Sequence, residues 1–285
     1  MQSNNPVFNR AEGFNGRGTA TTTDPSQWTI NLNGDDVTTT GTGLTTDRRM
    51  TIDSVVEKTA LTLGTVIVAA AVTWFLIGDL NAVNPNEADS AAKLAFGLAS
   101  IGAIAGMVLG LVNSFKKVVS PALVLAYAVV EGVFVGALSK VVANLSFVQD
   151  PAIVFQAVLG TMVAFGGTLA AYRFFNIQVN DRFRKVMSIA AVSILAVLVI
   201  NLVLSLTGVF DNGGLRGFNT LGLIVSIALV VFGVLCLVMD FDFVERGVEA
   251  GLPERESWRA AFGLTVTLVW LYIEILRILA ILRGD

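Results

Sequence analysis

The sequence predicts an all-α fold: a polytopic membrane protein of seven transmembrane helices with the seventh at the centre. Three observations carry this prediction. Only 14% of the 285 residues are charged, against roughly 25% in a soluble globular chain. The 54% that are hydrophobic are gathered into seven long runs, each near the ~20 residues a helix needs to cross ~30 Å of hydrocarbon. The last run, "LVWLYIEILRILAIL" (268–282), places nearly all its polar atoms on one stripe, so that face must turn away from lipid. Continuous runs, rather than short alternating ones, argue against a β-barrel.

The elements follow in order. Residues 1–50 are rich in Asn, Thr, Gly and Asp, and "GTATTTDPSQW" and "DDVTTTGTGLTTD" have no apolar periodicity. They predict a disordered polar tail. The first apolar run begins near Thr59, too late for a cleaved signal peptide, so the tail is expected to stay attached. The membrane domain then occupies residues 51–285. Its spans are predicted at Thr59–Ile77, Ala91–Phe115, Pro121–Val142, Ala152–Tyr172, Val186–Val209, Leu221–Phe243 and Ala260–Leu282. The separators, such as "NAVNPNEADS", "KKVVSP" and "FDNGGLRGFN", carry turn residues.

Lys and Arg placement orients the chain. Fourteen of the nineteen fall with the tail and the second, fourth and sixth connections; Lys93, Lys140, Arg216, Arg277 and Arg283 fall toward the other side. The positive-inside rule then places the N-terminus in the cytoplasm. Seven spans place the C-terminus outside, and the expected location is the plasma (inner) membrane of a bacterium.

Histidine is absent, which excludes histidine zinc sites, Ser-His-Asp triads and imidazole switches. Cys236 is the sole cysteine, so no intramolecular disulfide forms. No nucleophile–base–orienter set can be assembled, so no enzyme and no resident cofactor are expected. A net charge of −3 gives no reason to expect a nucleic-acid partner.

Small residues recur at helical spacing: Gly102, Gly106 and Gly110 in the second span, Gly132 and Gly136 in the third. Such faces let helices approach closely in lipid; a glycine-lined path is the alternative.

Charges inside the spans are costly and mark sites. Glu131 sits near the middle of the third span, where a short stem cannot reach water; it serves either a structural interhelical hydrogen bond or an ion or proton path. Asp240 and Asp242 close the sixth span, where carboxylates oppose the helix dipole and call for a counter-cation, either a basic side chain or a metal ion. Glu274 shares a stripe with Gly263, Thr267, Trp270 and Arg277. Arg277 either pairs with Glu274 at i+3 or extends outward and leaves it as a buried acid. Converging carboxylates without imidazole or thiolate suit protons and hard cations, which compete for one site.

The blocks "MTIDSVVEKTALTLG", "SPALVLAYAVVEGVFVGALS", "MDFDFVERGVE" and "LVWLYIEILRIL" resemble those of the Bax inhibitor-1/YccA-like, or transmembrane BAX inhibitor motif, family. The opening "MQSNNPVFNRAEGF" and "DPSQWTINLNG" are similar to its actinobacterial-type members. The resemblance implies six helices around a central seventh and a pH-sensitive calcium leak governed by an acidic pair. It places that pair at Asp240 and Glu274, with Ca2+ as the transported or bound ion. Here the second acid is a glutamate, and the connection is longer by about "AGLPERESWR". Asp242 and Arg277 are accessory positions. The basic latch of the leak-type relative falls near Lys116 and Lys117.

The expected function is therefore a pH-sensitive cation leak with Asp240, Glu274 and Glu131 as its ion- and proton-sensing groups. Its partners are the lipid bilayer, Ca2+ and protons. Two alternatives stay open: a non-conducting regulator of a membrane protease or other membrane complex, and a proton-coupled cation antiporter.

Overall fold

The computed structural model describes residues 49–175, 177, 179–208 and 211–284. The predicted disorder of the tail lies outside the described residues. Seven helices are long and apolar enough to cross a bilayer: α1 (Ile52–Leu76), α2 (Pro85–Phe115), α3 (Pro121–Ala143), α4 (Ala152–Phe174), α5 (Asp181–Leu206), α6 (Thr220–Glu249) and α7 (Glu256–Gly284). A short 3-10 turn, Asp211–Arg216, precedes α6.

Several helices begin before their apolar runs, because caps rather than hydropathy set their ends. Thr51 and Ser54 form a reciprocal capping box that starts α1 seven residues ahead of Thr59. Asn84 with Pro85 starts α2, and the side chains of Asn180 and Asn219 cap α5 and α6. The sixth helix runs past Phe243 to Glu249.

The seventh helix is the core, with 61% of its apolar window buried against 11% for α5. Among the described residues it packs on α1, α3, α4 and α6 but not on α2 or α5. The expected ring of six is thus a ring of four about α7, with α2 held on α3 and α5 held on α6 and the 3-10 turn. The glycine faces explain how. Gly132 and Gly136 of α3 lie against the α1 backbone at Val66 and Ala70. Gly102, Gly106 and Gly110 of α2 seat Phe134, Glu131 and Tyr127 of α3. A Cβ at Gly102 would stand 2.9 Å from that of Phe134, which no packed side chain tolerates. The bundle-packing role of these glycines is the one the contacts support.

A second polar line ties α7 to its other neighbours. Ser54 and Ser257 hydroxyls meet at 2.7 Å, those of Thr62 and Thr265 at 2.9 Å, and those of Ser139 and Tyr272 at 2.6 Å. Such interhelical bonds are worth about 0.6 kcal/mol each in a membrane bundle. At the end of the bundle where α1 begins, Met50 donates its N–H to the Leu252 carbonyl at 2.7 Å and buries its side chain against Gly247.

Candidate functional site

The predicted stripe of α7 faces α6 along its length. Near its start, Gly263 leaves room for the carboxylate of Asp240, whose Oδ1 would lie 3.5 Å from a Cβ there. One turn on, the Thr267 hydroxyl donates to Asp240 Oδ2 at 2.7 Å. Trp270 Nε1 then donates to the Leu229 carbonyl at 3.3 Å. Glu274 follows, 2% exposed, and Arg277 ends the stripe.

Asp240 and Glu274 are not brought together. Thr267, the neighbour of Asp240, precedes Glu274 by seven residues, which is about 10 Å along a helix. The expected acidic pair is corrected accordingly. Asp240 is half-buried, and its hydrogen bond comes from a neutral hydroxyl; it forms no ion pair among the described residues.

Glu274 belongs to a different cluster. Arg216, at the close of the 3-10 turn, donates from Nη1 to Glu274 Oε1 at 2.6 Å. Glu274 Oε2 is buried without a hydrogen-bond partner. Arg277 neither pairs with Glu274 at i+3 nor runs free to water. It donates from Nη2 to the Arg216 carbonyl, reaches Ser226 Oγ at 3.5 Å and lies 5.0 Å from the Phe218 ring centroid. Two arginines and one carboxylate thus clasp the 3-10 turn onto α7. Ca2+ bridging Asp240 and Glu274 does not fit this geometry, and no group of three or more acidic or thiol ligands occurs among the described residues.

Asp242, 5% exposed, has the counter-cations its position calls for. Arg184 at the start of α5 donates to Oδ2, and Arg246 donates from Nε to Oδ1 at 3.0 Å. Arg246 also reaches the Val179 carbonyl, so Asp242 anchors the α4–α5 connection to α6.

Glu131 projects from α3 toward α2, one turn after Tyr127. Its Oε2 occupies the space over Gly106, where a Cβ would come within 2.6 Å. It meets neither Asp240 nor Glu274 through any hydrogen bond among the described residues. Lys116 and Lys117 are exposed at the end of α2, and neither forms an ion pair among the described residues. The carbonyl of Lys117 accepts from Arg259 Nη2 at 2.9 Å. The expected lysine latch on Asp240 is therefore not formed.

Sequence reasoning missed Thr267 as the partner of Asp240, although it placed Thr267 on the right stripe. It also missed Arg216, which lies in a glycine-rich connection with no periodicity to aim it. Arg184 lies in the basic stretch at the start of α5, where no spacing aims it at Asp242.

No curated protein matches the chain significantly. A family model described as Bax inhibitor 1 like matches residues 5–284, nearly the whole length and every helix described above. The chain belongs to the Bax inhibitor 1 like family.

Proposed function

We propose that the protein is a pH-sensitive leak for cations, calcium among them, with Asp240 as its sensing carboxylate. The single observation that carries this reading is the contrast among three of the acids on α6 and α7. Asp242 is neutralised by two arginines and Glu274 is held by Arg216, whereas Asp240 has only the Thr267 hydroxyl. A carboxylate in a membrane-spanning seam without a basic partner remains open to a proton or a hard cation. A leak needs such a site to bind weakly, since a conducted ion must also depart. One carboxylate with a hydroxyl suits transient passage better than it suits storage.

Two refinements of the expectation follow. Glu274 takes a structural role in the outer clasp, and Asp240 acts without it. Glu131 remains a candidate pathway carboxylate on the α2–α3 side. The positive-inside distribution orients the Asp240 end toward the cytoplasm of a bacterial plasma membrane, and cysteine labelling of the α6–α7 connection from either side tests that orientation.

The test of function is calcium flux in liposomes holding the purified chain. Protonation removes the negative charge that attracts a cation, so acidification lowers the flux. Asp240→Asn reproduces the acid state: its flux is low and no longer varies with pH. Wild-type flux and pH response in that variant refute the proposal. Flux that requires an opposing proton gradient would identify an antiporter instead. A chain without flux whose tail deletion abolishes its cellular effect would identify a regulator of another membrane complex.

A further inference from the structure

Helices α1 and α4 are not neighbours in the ring around α7: α3 and α6 stand between them, and among the described residues their backbones do not meet. Between them lies a cavity of about 330 Å³ floored by α3 and α7. Ile67 and Phe75 on one wall and Met162 on the other are exposed, so the cavity opens sideways at bilayer depth. Its lining is apolar apart from three hydroxyls and the Trp74 indole N–H, and the three hydroxyls are already engaged. Ser139 bonds the Val135 carbonyl and the Tyr272 hydroxyl, and Thr161 bonds the Ala157 carbonyl. An occupant therefore gains nothing from those hydroxyls.

The groove suits a slender, apolar occupant. A single hydrocarbon chain fits: at ~30 Å³ for each water-sized group, the volume takes roughly ten methylenes. Charge then favours one kind of chain. At the end of the bundle where α1 and α3 finish, the Lys140 ammonium lies 4.6 Å from the centroid of the Trp74 ring. Trp74 also lines the groove, as does Ser139, the neighbour of Lys140. Lys140 forms no ion pair among the described residues. Tryptophan and a snorkelling lysine are the residues that sit at headgroup level.

We propose that this groove is a binding site for an anionic phospholipid, with one acyl chain between α1 and α4 and the phosphate at Lys140. The bound chain completes the wall around α7, opposite the face that meets α6.

Native mass spectrometry of the full chain tests the site, comparing phosphatidylglycerol with phosphatidylcholine of identical acyl chains. Wild type retains phosphatidylglycerol preferentially. Lys140→Gln lowers that retention about fivefold, the effect of one basic residue at a charged lipid surface. Ala71→Phe with Val158→Phe fills the groove and lowers retention of both lipids. A phosphatidylglycerol analogue with a diazirine on its acyl chain labels α1 and α4 peptides in the unaltered protein, so the result does not depend on the filled variant folding. Equal retention of the two lipids by wild type, undiminished retention in Lys140→Gln, or labelling confined to other helices overturns the proposal. So does a dimer whose cross-links join α1 or α4 across two copies.

Discussion

Arg216 and Glu274 form a buried pair whose two halves are unequally placed, and that inequality predicts an asymmetric response to mutation. The bond is charge-assisted at 2.6 Å, and the side chains are 23% and 3% exposed, respectively. In Arg216→Gln the carboxylate stays where it is, without its cation and with Oε2 already unpartnered. Stranding a buried charge costs about 3–5 kcal/mol. In Glu274→Gln the orphan is a guanidinium at the bundle's end that can turn outward to water, while the amide can still accept a hydrogen bond; the loss is about 1–2 kcal/mol. Reversible unfolding in bicelles measures both, and the double variant completes a cycle. The cycle should show a coupling of at least about 1.5 kcal/mol, within the range for directly bonded residues. Equal single losses, or a coupling below about 0.5 kcal/mol, would refute the assignment of Arg216 as the holder of Glu274.

Other outcomes are specific to position. Gly132→Ala brings a methyl within 2.5 Å of the Val66 carbonyl oxygen, a backbone atom of α1 that cannot turn aside, and should cost about 1–3 kcal/mol of stability as an overpacked site; Gly97→Ala, with open space around it, should be neutral or stabilising by up to about 1 kcal/mol. The same unfolding assay distinguishes them. Asp242→Asn should cost only about 1–2 kcal/mol, because Arg184 and Arg246 are 38% and 49% exposed and regain water. It should leave the pH response of liposome flux intact, in contrast to Asp240→Asn.

The membrane fold was legible because burial in lipid demands long apolar runs, and seven of them are visible in the chain. Helix ends were less so. Hydropathy reports only the part of a helix that crosses hydrocarbon, whereas Thr51, Asn180 and Asn219 begin helices through side-chain caps. The stripe on α7 was legible for a similar reason: Gly263, Thr267, Trp270, Glu274 and Arg277 repeat at helical spacing, and they face α6 as that spacing requires. What the spacing does not carry is height. Whether Asp240 meets Thr267 or Glu274 depends on how far α7 slides along α6, which the periodicity of a single helix does not record. A match of blocks put a carboxylate beside Asp240; the slide of the helices put a hydroxyl there. Arg216 was hidden for another reason, since a residue in a glycine-rich connection has no face until the chain around it folds.

Met50 clasps the start of α1 to the corner between α6 and α7, through one backbone bond and a side chain sealed against Gly247. Mechanically, this makes the corner a tether point. A force applied through residues ahead of Arg49 reaches the α6–α7 corner before it reaches any lipid-facing helix surface, as a tug on a bell rope reaches the bell before the tower.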